Sequence, residues 1–367
     1  MGDIFADKPV SINGIFLGMD SDHVILYQAR GGRAFFKSAS YTGEIQEILS
    51  VPSDLLPSFF WTKNYAGNGM IGFLTKEDEF VLYEQNHRLA KFPDIRRNVM
   101  PPWFAYMPDR NTIFMEWACY ETRSGRKKWD FPLPVAERAY KKFLACETWR
   151  ELPNGLIMTQ INVDQENIYI SLMDQSGNIR RSVSLPIFYA YHNVGVAQNY
   201  IYFIQPIENT RFPAEVILFD FNLNEIGRYD VDSNRINYEV WFDSHNKHFY
   251  VLGNGIVTRV NIMDGQKRID PIPFDKIEIS SWGVLPNDML YFVKKERELF
   301  FLDPQENMEC VLRHKIKGYC LKLVPLKNGN VLLVSLNNRK KEQVILQVIC
   351  FDKQAPVNCA HEAKGAV

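Results

Sequence analysis

Asp243, His245 and His248 lie within six residues of one another and carry the ligand types of a transition-metal site, so they come first in any search for chemistry. A divalent metal needs convergent ligands and a further layer of partners that orient each imidazole. Three side chains inside one hairpin turn point in different directions, so the segment reads as a solvated turn. His192 lies in the stretch 191–200, on what should be an inner strand, and reads as a hydrogen-bonded core histidine. Glu147 and Glu239 are available as an acid and a base. Glycoside chemistry depends on a defined separation of two carboxylates, which no spacing here sets. Nucleophile-elbow, phosphate-loop, zincin and dinucleotide patterns do not occur in a supporting context. No catalytic residue, metal or cofactor is assigned.

Tryptophan carries a clearer pattern. Of the seven tryptophans, Trp61, Trp103, Trp149, Trp241 and Trp282 each fall four to six residues before a turn of one recurring series. Large rings recurring at one position of a repeat either pack between neighbouring units or line a surface that stacks a ligand. Packing is the preferred reading, and these five with His192 are the candidate ligand-facing residues of an axial channel.

The series itself comes from internal repeats. Turn residues Ser21, Gly67, Asp109, Asn154, Gln198, His245, Asn287 and Asn328 recur at intervals of 41 to 47 residues, each followed by an apolar run. A second series falls later in each unit, at Gly43, Asn86, Gly125, Gly177, Asn224, Gly265 and Glu306. Asparagine and glycine supply the positive φ that tight hairpins need. Second strands such as 24–27 and 200–204 are apolar on consecutive residues, as when both faces are covered, whereas fourth strands such as 179–185 are polar, as befits an outer edge. Two hairpins at one period predict an all-β fold, a closed β-propeller of eight blades with four antiparallel strands each, the alternative being seven.

Two stretches break the pattern. Only 16 residues separate Asp109 from Gly125, which predicts a third blade that is compressed or has lost a strand. After it, Pro134 followed by Ala136, Tyr140, Phe143 and Leu144 predicts a short helical insertion. The propeller is expected to span residues 1–356 as one domain, with a mobile tail at 357–367. Residues 4–8 are expected to serve as the outer strand of the last blade, because the first unit already has four strands between Ile12 and Leu49.

Composition limits the partners. With 42 basic and 43 acidic residues the chain has a net charge of −1, which gives no electrostatic reason to bind nucleic acid or an anionic membrane. Neither an export signal nor an apolar run of membrane-spanning length is visible, which predicts a soluble, cytoplasmic and monomeric protein. The six cysteines, without paired spacing, read as mostly reduced packing residues.

The segment 120–129, Tyr-Glu-Thr-Arg-Ser-Gly-Arg-Lys-Lys-Trp, resembles the tryptophan-docking hairpin of quinoprotein-type eight-bladed propellers, and 173–178 is similar to a second copy without the tryptophan. The resemblance implies the fold, shared with WD40-like propellers, and not the quinone cofactor. Around His192 the sequence is superficially similar to an inner-strand histidine of carotenoid-cleaving oxygenases, whose iron needs four imidazoles that this chain does not bring together.

The expected function is therefore a non-catalytic interaction module that binds a protein or peptide partner through the interblade and second-to-third-strand loops. That face would carry Arg96 and Arg97, with Arg30, Arg33, Arg211, Lys294, Lys295, Arg339 and Lys340 giving it a basic bias. The alternative is an enzyme or a small-ligand or carbohydrate binder using the axial channel.

Overall fold

The computed structural model describes residues 9–20, 23–56, 64–67, 69–77, 79–92, 110–115, 118–130, 145–162, 167–186, 193–207, 214–231, 239–253, 255–273, 279–326, 330–337 and 342–350, with backbone alone at 64–67, 115, 145–149 and 161–162. Eight antiparallel sheets follow one another along the chain. The fold is a β-propeller, and the only helical element among the described residues is one 3-10 turn, Ser53–Leu55. No helix there is long and apolar enough to cross a membrane.

Sheet one comprises Ile15–Asp20, His23–Arg30, Arg33–Ala39 and Ile45–Pro52, and sheet two Asn64–Gly67, Met70–Leu74, Phe80–Glu84 and His87–Phe92. Sheet three has three strands, Thr112–Met115, Ala118–Glu121 and Lys127–Asp130. Sheet four comprises Ala145–Glu151, Ile157–Asn162, Asn167–Met173 and Ile179–Pro186, and sheet five Asn193–Val196, Ile201–Pro206, Ala214–Phe219 and Glu225–Val231. Sheet six follows with Val240–Phe242, His248–Leu252, Ile256–Asn261 and Lys267–Pro271, and sheet seven with Ile279–Val284, Leu290–Lys294, Glu298–Asp303 and Glu309–Lys315. Sheet eight takes Tyr319–Pro325, Val331–Leu336 and Gln343–Ile349 from the end of the chain and Val10–Asn13 from its beginning.

The frame of the repeat agrees with the turn residues. Gly43, Asn86, Gly177, Asn224, Gly265 and Glu306 lie between third and fourth strands, and Gly125 between the last two strands of three-stranded sheet three. Asn86, Gly125, Gly177 and Gly265 adopt φ of 67°, 67°, 87° and 70°, the left-handed conformation that makes these residue types a hairpin signal. Middle strands such as Leu290–Lys294 and Gln343–Ile349 are buried along most of their length, whereas the fourth strand Ile179–Pro186 is largely exposed. In the third unit the two strands between Asp109 and Gly125 are only four residues each, the compression that the short spacing predicts, and the sheet has three described strands. The helix expected after Pro134 and the tail 357–367 lie outside the described residues.

Two assignments change. Val10–Asn13 pairs antiparallel with Gln343–Ile349, opposing Val10 to Leu346 and Asn13 to Gln343. Ile12 thus belongs to sheet eight and not to sheet one, and residues 4–8 lie outside the described residues. Gly14, at φ 149°, separates this strand from Ile15 of sheet one, and a Cβ there would come within 3.1 Å of the Tyr27 carbonyl. A one-residue break marked only by that glycine hides the boundary within an apolar run. Among the described cysteines, Cys119, Cys320 and Cys350 are free thiols, as expected of most, and Cys310 alone departs from that reading in being disulfide-bonded, which its isolated place in the sequence does not indicate.

Contacts divide the backbone into two compact units, one of residues 14–187 with 221–224, the other of residues 1–13, 188–220 and 225–367. Each has its own core. In the first, Ile25, Phe36 and Leu49 of sheet one pack on Ile71, Phe73 and Val81 of sheet two. In the second, Tyr250, Leu252 and Val257 of sheet six pack on Trp282, Leu290 and Phe292 of sheet seven.

Candidate functional site

Strand register explains why tryptophan recurs where it does. In sheet six Trp241 opposes Tyr250, Tyr250 opposes Arg259 and Arg259 opposes Arg268, so these four side chains form one rung across the sheet. Trp282, Phe292, Phe300 and Arg313 form the matching rung of sheet seven. Trp282 is 1% exposed and stacks on Phe292 at 6.1 Å and 17°, while Trp241 meets Trp282 edge-on at 6.4 Å and 72°. The tryptophan position is the innermost place in a rung that fills the space between neighbouring sheets. Trp241 is half-buried, and its Nε1 has no hydrogen-bond partner among the described residues.

Trp149 occupies the same place in sheet four, opposite Thr159, with Ser171 and Ser182 completing the rung. Its side chain, with Trp61, Trp103, His192, Arg96 and Arg97, lies outside the described residues. The structure therefore brings Trp241 and Trp282 together and leaves the other candidates unplaced.

The phenols in this region are not poised for proton transfer near neutral pH. Burial pushes Tyr250 up to about 12, and burial with the Glu239 charge pushes Tyr291 up to about 12. Burial also pushes the Cys320 thiol up to about 12, helped by the Glu296 charge, which makes it a poor nucleophile.

The Asp243 turn is solvated at Ser244, His245 and Lys247 but held from within by a buried carboxylate. Asp243 is 8% exposed, and its Oδ1 accepts from the Lys247 and His248 amides at 2.8 and 3.3 Å. Its Oδ2 lies 2.8 Å from His248 Nδ1. Arg259 Nη2 lies 3.3 Å from both imidazole nitrogens, a distance pair that places the guanidinium over the ring face. Arg259 Nη1 donates to Gln305 Oε1 of sheet seven at 3.3 Å. His245 is exposed and takes no part, and among the described residues no group of three such side chains is placed to hold a metal. Sequence spacing does not reveal Arg259, because only the cross-strand register places it beside Tyr250.

A series of contacts between neighbouring sheets runs along the ends that carry the first-to-second and third-to-fourth turns. Trp129 donates from Nε1 to the Gln175 carbonyl at 3.2 Å, and its ring covers Gly177, where a Cβ would come within 2.7 Å. This is the docking that the hairpin resemblance implies. Other sheets reach the next turn with different groups. Tyr229 donates to the Ile262 carbonyl at 2.8 Å, Arg181 to Asn224 Oδ1 at 2.6 Å and Arg268 to Asn307 Oδ1 at 2.7 Å. First turns are joined as well, by Ser244 to Asp288 through both the amide and the hydroxyl, at 2.5 and 2.9 Å, and by Asn246 to Gln198 at 3.0 Å.

The opposite ends carry the basic loop residues. Arg33 is held by its own sheet, with Nε donating to Ser50 Oγ at 2.8 Å and Nη2 to the Ser50 carbonyl at 3.0 Å. Arg297 donates to Tyr319 OH at 2.8 Å. Arg30 is exposed beside Gly31 and Gly32, which turn at φ 59° and 75°. Arg211, Arg339 and Lys340 lie outside the described residues.

No protein-family model matches the chain, and no curated protein matches it. Solved structures do. The Dos1 propeller is similar at a TM-score of 0.58 and 8% identity, over 92% of this chain and 94% of that one. The computationally designed Ika8 protein is similar at 0.56 and 10%, over 92% and 96%. A eukaryotic initiation factor is similar at 0.55 and 7%, over 97% and 87%. At these identities the likeness shows the fold alone.

Proposed function

We propose that the chain is a non-catalytic interaction module that binds a protein or peptide partner through the connections at the ends of the sheets opposite the docked turns. The observation that carries this reading is the division of labour between the two ends. At one end of their sheets short turns are joined to a neighbour, by Trp129 and Arg181 within one compact unit and by Tyr229 and Arg268 within the other. From the opposite strand ends the chain enters the two longest connections between described strands, 93–111 and 131–144, before and after three-stranded sheet three. Long connections on a stiff scaffold are where binding residues concentrate, and the first contains Arg96 and Arg97. Immobilised protein is expected to retain a specific partner from its native lysate, and Arg96→Glu with Arg97→Glu to reduce that retention at least about tenfold without changing the melting temperature. Equal retention by the double variant would remove these connections from the interface.

A further inference from the structure

Between sheets one and two, on the docked-turn ends, lies a groove of about 790 Å³. Two contacts bracket it: the Gly69 amide donates to Asp20 Oδ2 at 3.0 Å, and the Ser50 amide to Asn86 Oδ1 at 2.7 Å. Its lining includes half-buried Ile48 as apolar surface, Ser38 and Gln46 as polar walls, and the carboxylates of Asp20 and Glu47, while Ile25, 1% exposed, belongs to the core. In sheets three to six a large side chain of the last strand crosses to the next sheet's turn: Trp129, Arg181, Tyr229 and Arg268 in that order. Sheet one makes that contact with the Ser50 main chain, and among the described residues no large side chain enters the space.

We propose that this groove receives an arginine side chain from a peptide or protein partner, with its stem along Ile48 and its guanidinium paired to Asp20 and Glu47. Charge complementarity selects the occupant. Glu47 is exposed and forms no ion pair among the described residues, since its cross-strand neighbour Lys37 directs its ammonium to Gln28 Oε1 at 2.7 Å. Asp20 uses one oxygen for the Gly69 amide and keeps the other for a ligand. His23 is the only basic side chain in the lining. Arginine suits the space because its planar fork donates to carboxylates while its aliphatic stem lies on apolar surface, much as Arg181 and Arg268 fill their own gaps. None of the residues lining the groove belongs to the connections proposed above to bind the partner, so its occupancy does not depend on that reading.

The test uses isotope-labelled full-length protein with two probes, N-acetyl-arginine amide and its neutral isostere N-acetyl-citrulline amide, followed through the backbone amides of Glu47, Gly69 and Asn86. These amides are expected to shift saturably with the arginine probe and to need at least about fivefold more citrulline probe for the same change. Glu47→Gln, at an exposed position, is expected to weaken the arginine response about three- to tenfold at unchanged melting temperature. Shifts absent from these amides, equal responses to the two probes, or an unaltered response in Glu47→Gln would each overturn the proposal.

Discussion

Removing residues 2–13 is expected to lower the melting temperature by about 5 °C or more, or to send the protein into aggregates, whereas removing residues 2–8 leaves it nearly unchanged. The reason lies in sheet eight. Without Val10–Asn13 the strand Gln343–Ile349, buried along almost its whole length, becomes an edge. Ile12, 3% exposed, is lost from the core at the same time. Unpaired main-chain groups beside apolar side chains template pairing with other molecules, so loss of stability and loss of solubility should appear together. Thermal unfolding followed by circular dichroism, with light scattering on the same samples, measures both. A short deletion as damaging as the long one would move the stabilising contacts to residues preceding Val10.

Trp282→Ala is expected to cost about 3–5 kcal/mol, a typical penalty for deleting a buried large aromatic. Trp282 is fully enclosed, stacked on Phe292 and touched edge-on by Trp241, so the indole leaves a cavity that rigid neighbouring sheets cannot collapse. Trp282→Phe keeps a ring on Phe292 and should lose less than half as much. Denaturant titration of the three proteins separates these outcomes. If Trp282→Ala were within about 1 kcal/mol of wild type, the tryptophan would not be a packing residue and a ligand-facing role would return.

The repeat was legible because its punctuation has a mechanical cause. Asn86, Gly125, Gly177 and Gly265 stand where the chain needs positive φ, and the apolar runs that follow first turns are strands covered on both faces. The docking of Trp129 was legible for the same reason, since a glycine at 177 is what leaves room for an indole. Features set by register were not. Whether Trp241 faces Tyr250 or its neighbour depends on pairing, and in six sheets a bulge between the last two strands shifts pairing by one residue. Arg259 over His248, and the groove beside Glu47, both depend on such details. The strand Val10–Asn13 was displaced in the sequence reading because the apolar residues on either side of Gly14 look continuous. The turn is solvated at Ser244, His245 and Lys247, but the burial of Asp243 is not legible, because a buried carboxylate that caps its own turn has the same local sequence as an exposed one.

The arrangement of sheet eight is the claim on which the eight-sheet count and the terminal strand both depend, and a pair of cysteines tests it most directly. Val10 and Leu346 oppose one another across the strand pair, so their Cβ atoms lie on one face within disulfide reach. Under mild oxidation Val10→Cys with Leu346→Cys is expected to give a linked peptide pair by mass spectrometry, and Val10→Cys with Ile345→Cys, whose side chains point to opposite faces, is expected to give little. Absence of the 10–346 link, or equal yields from the two pairs, would contradict the register and with it the eighth sheet as described.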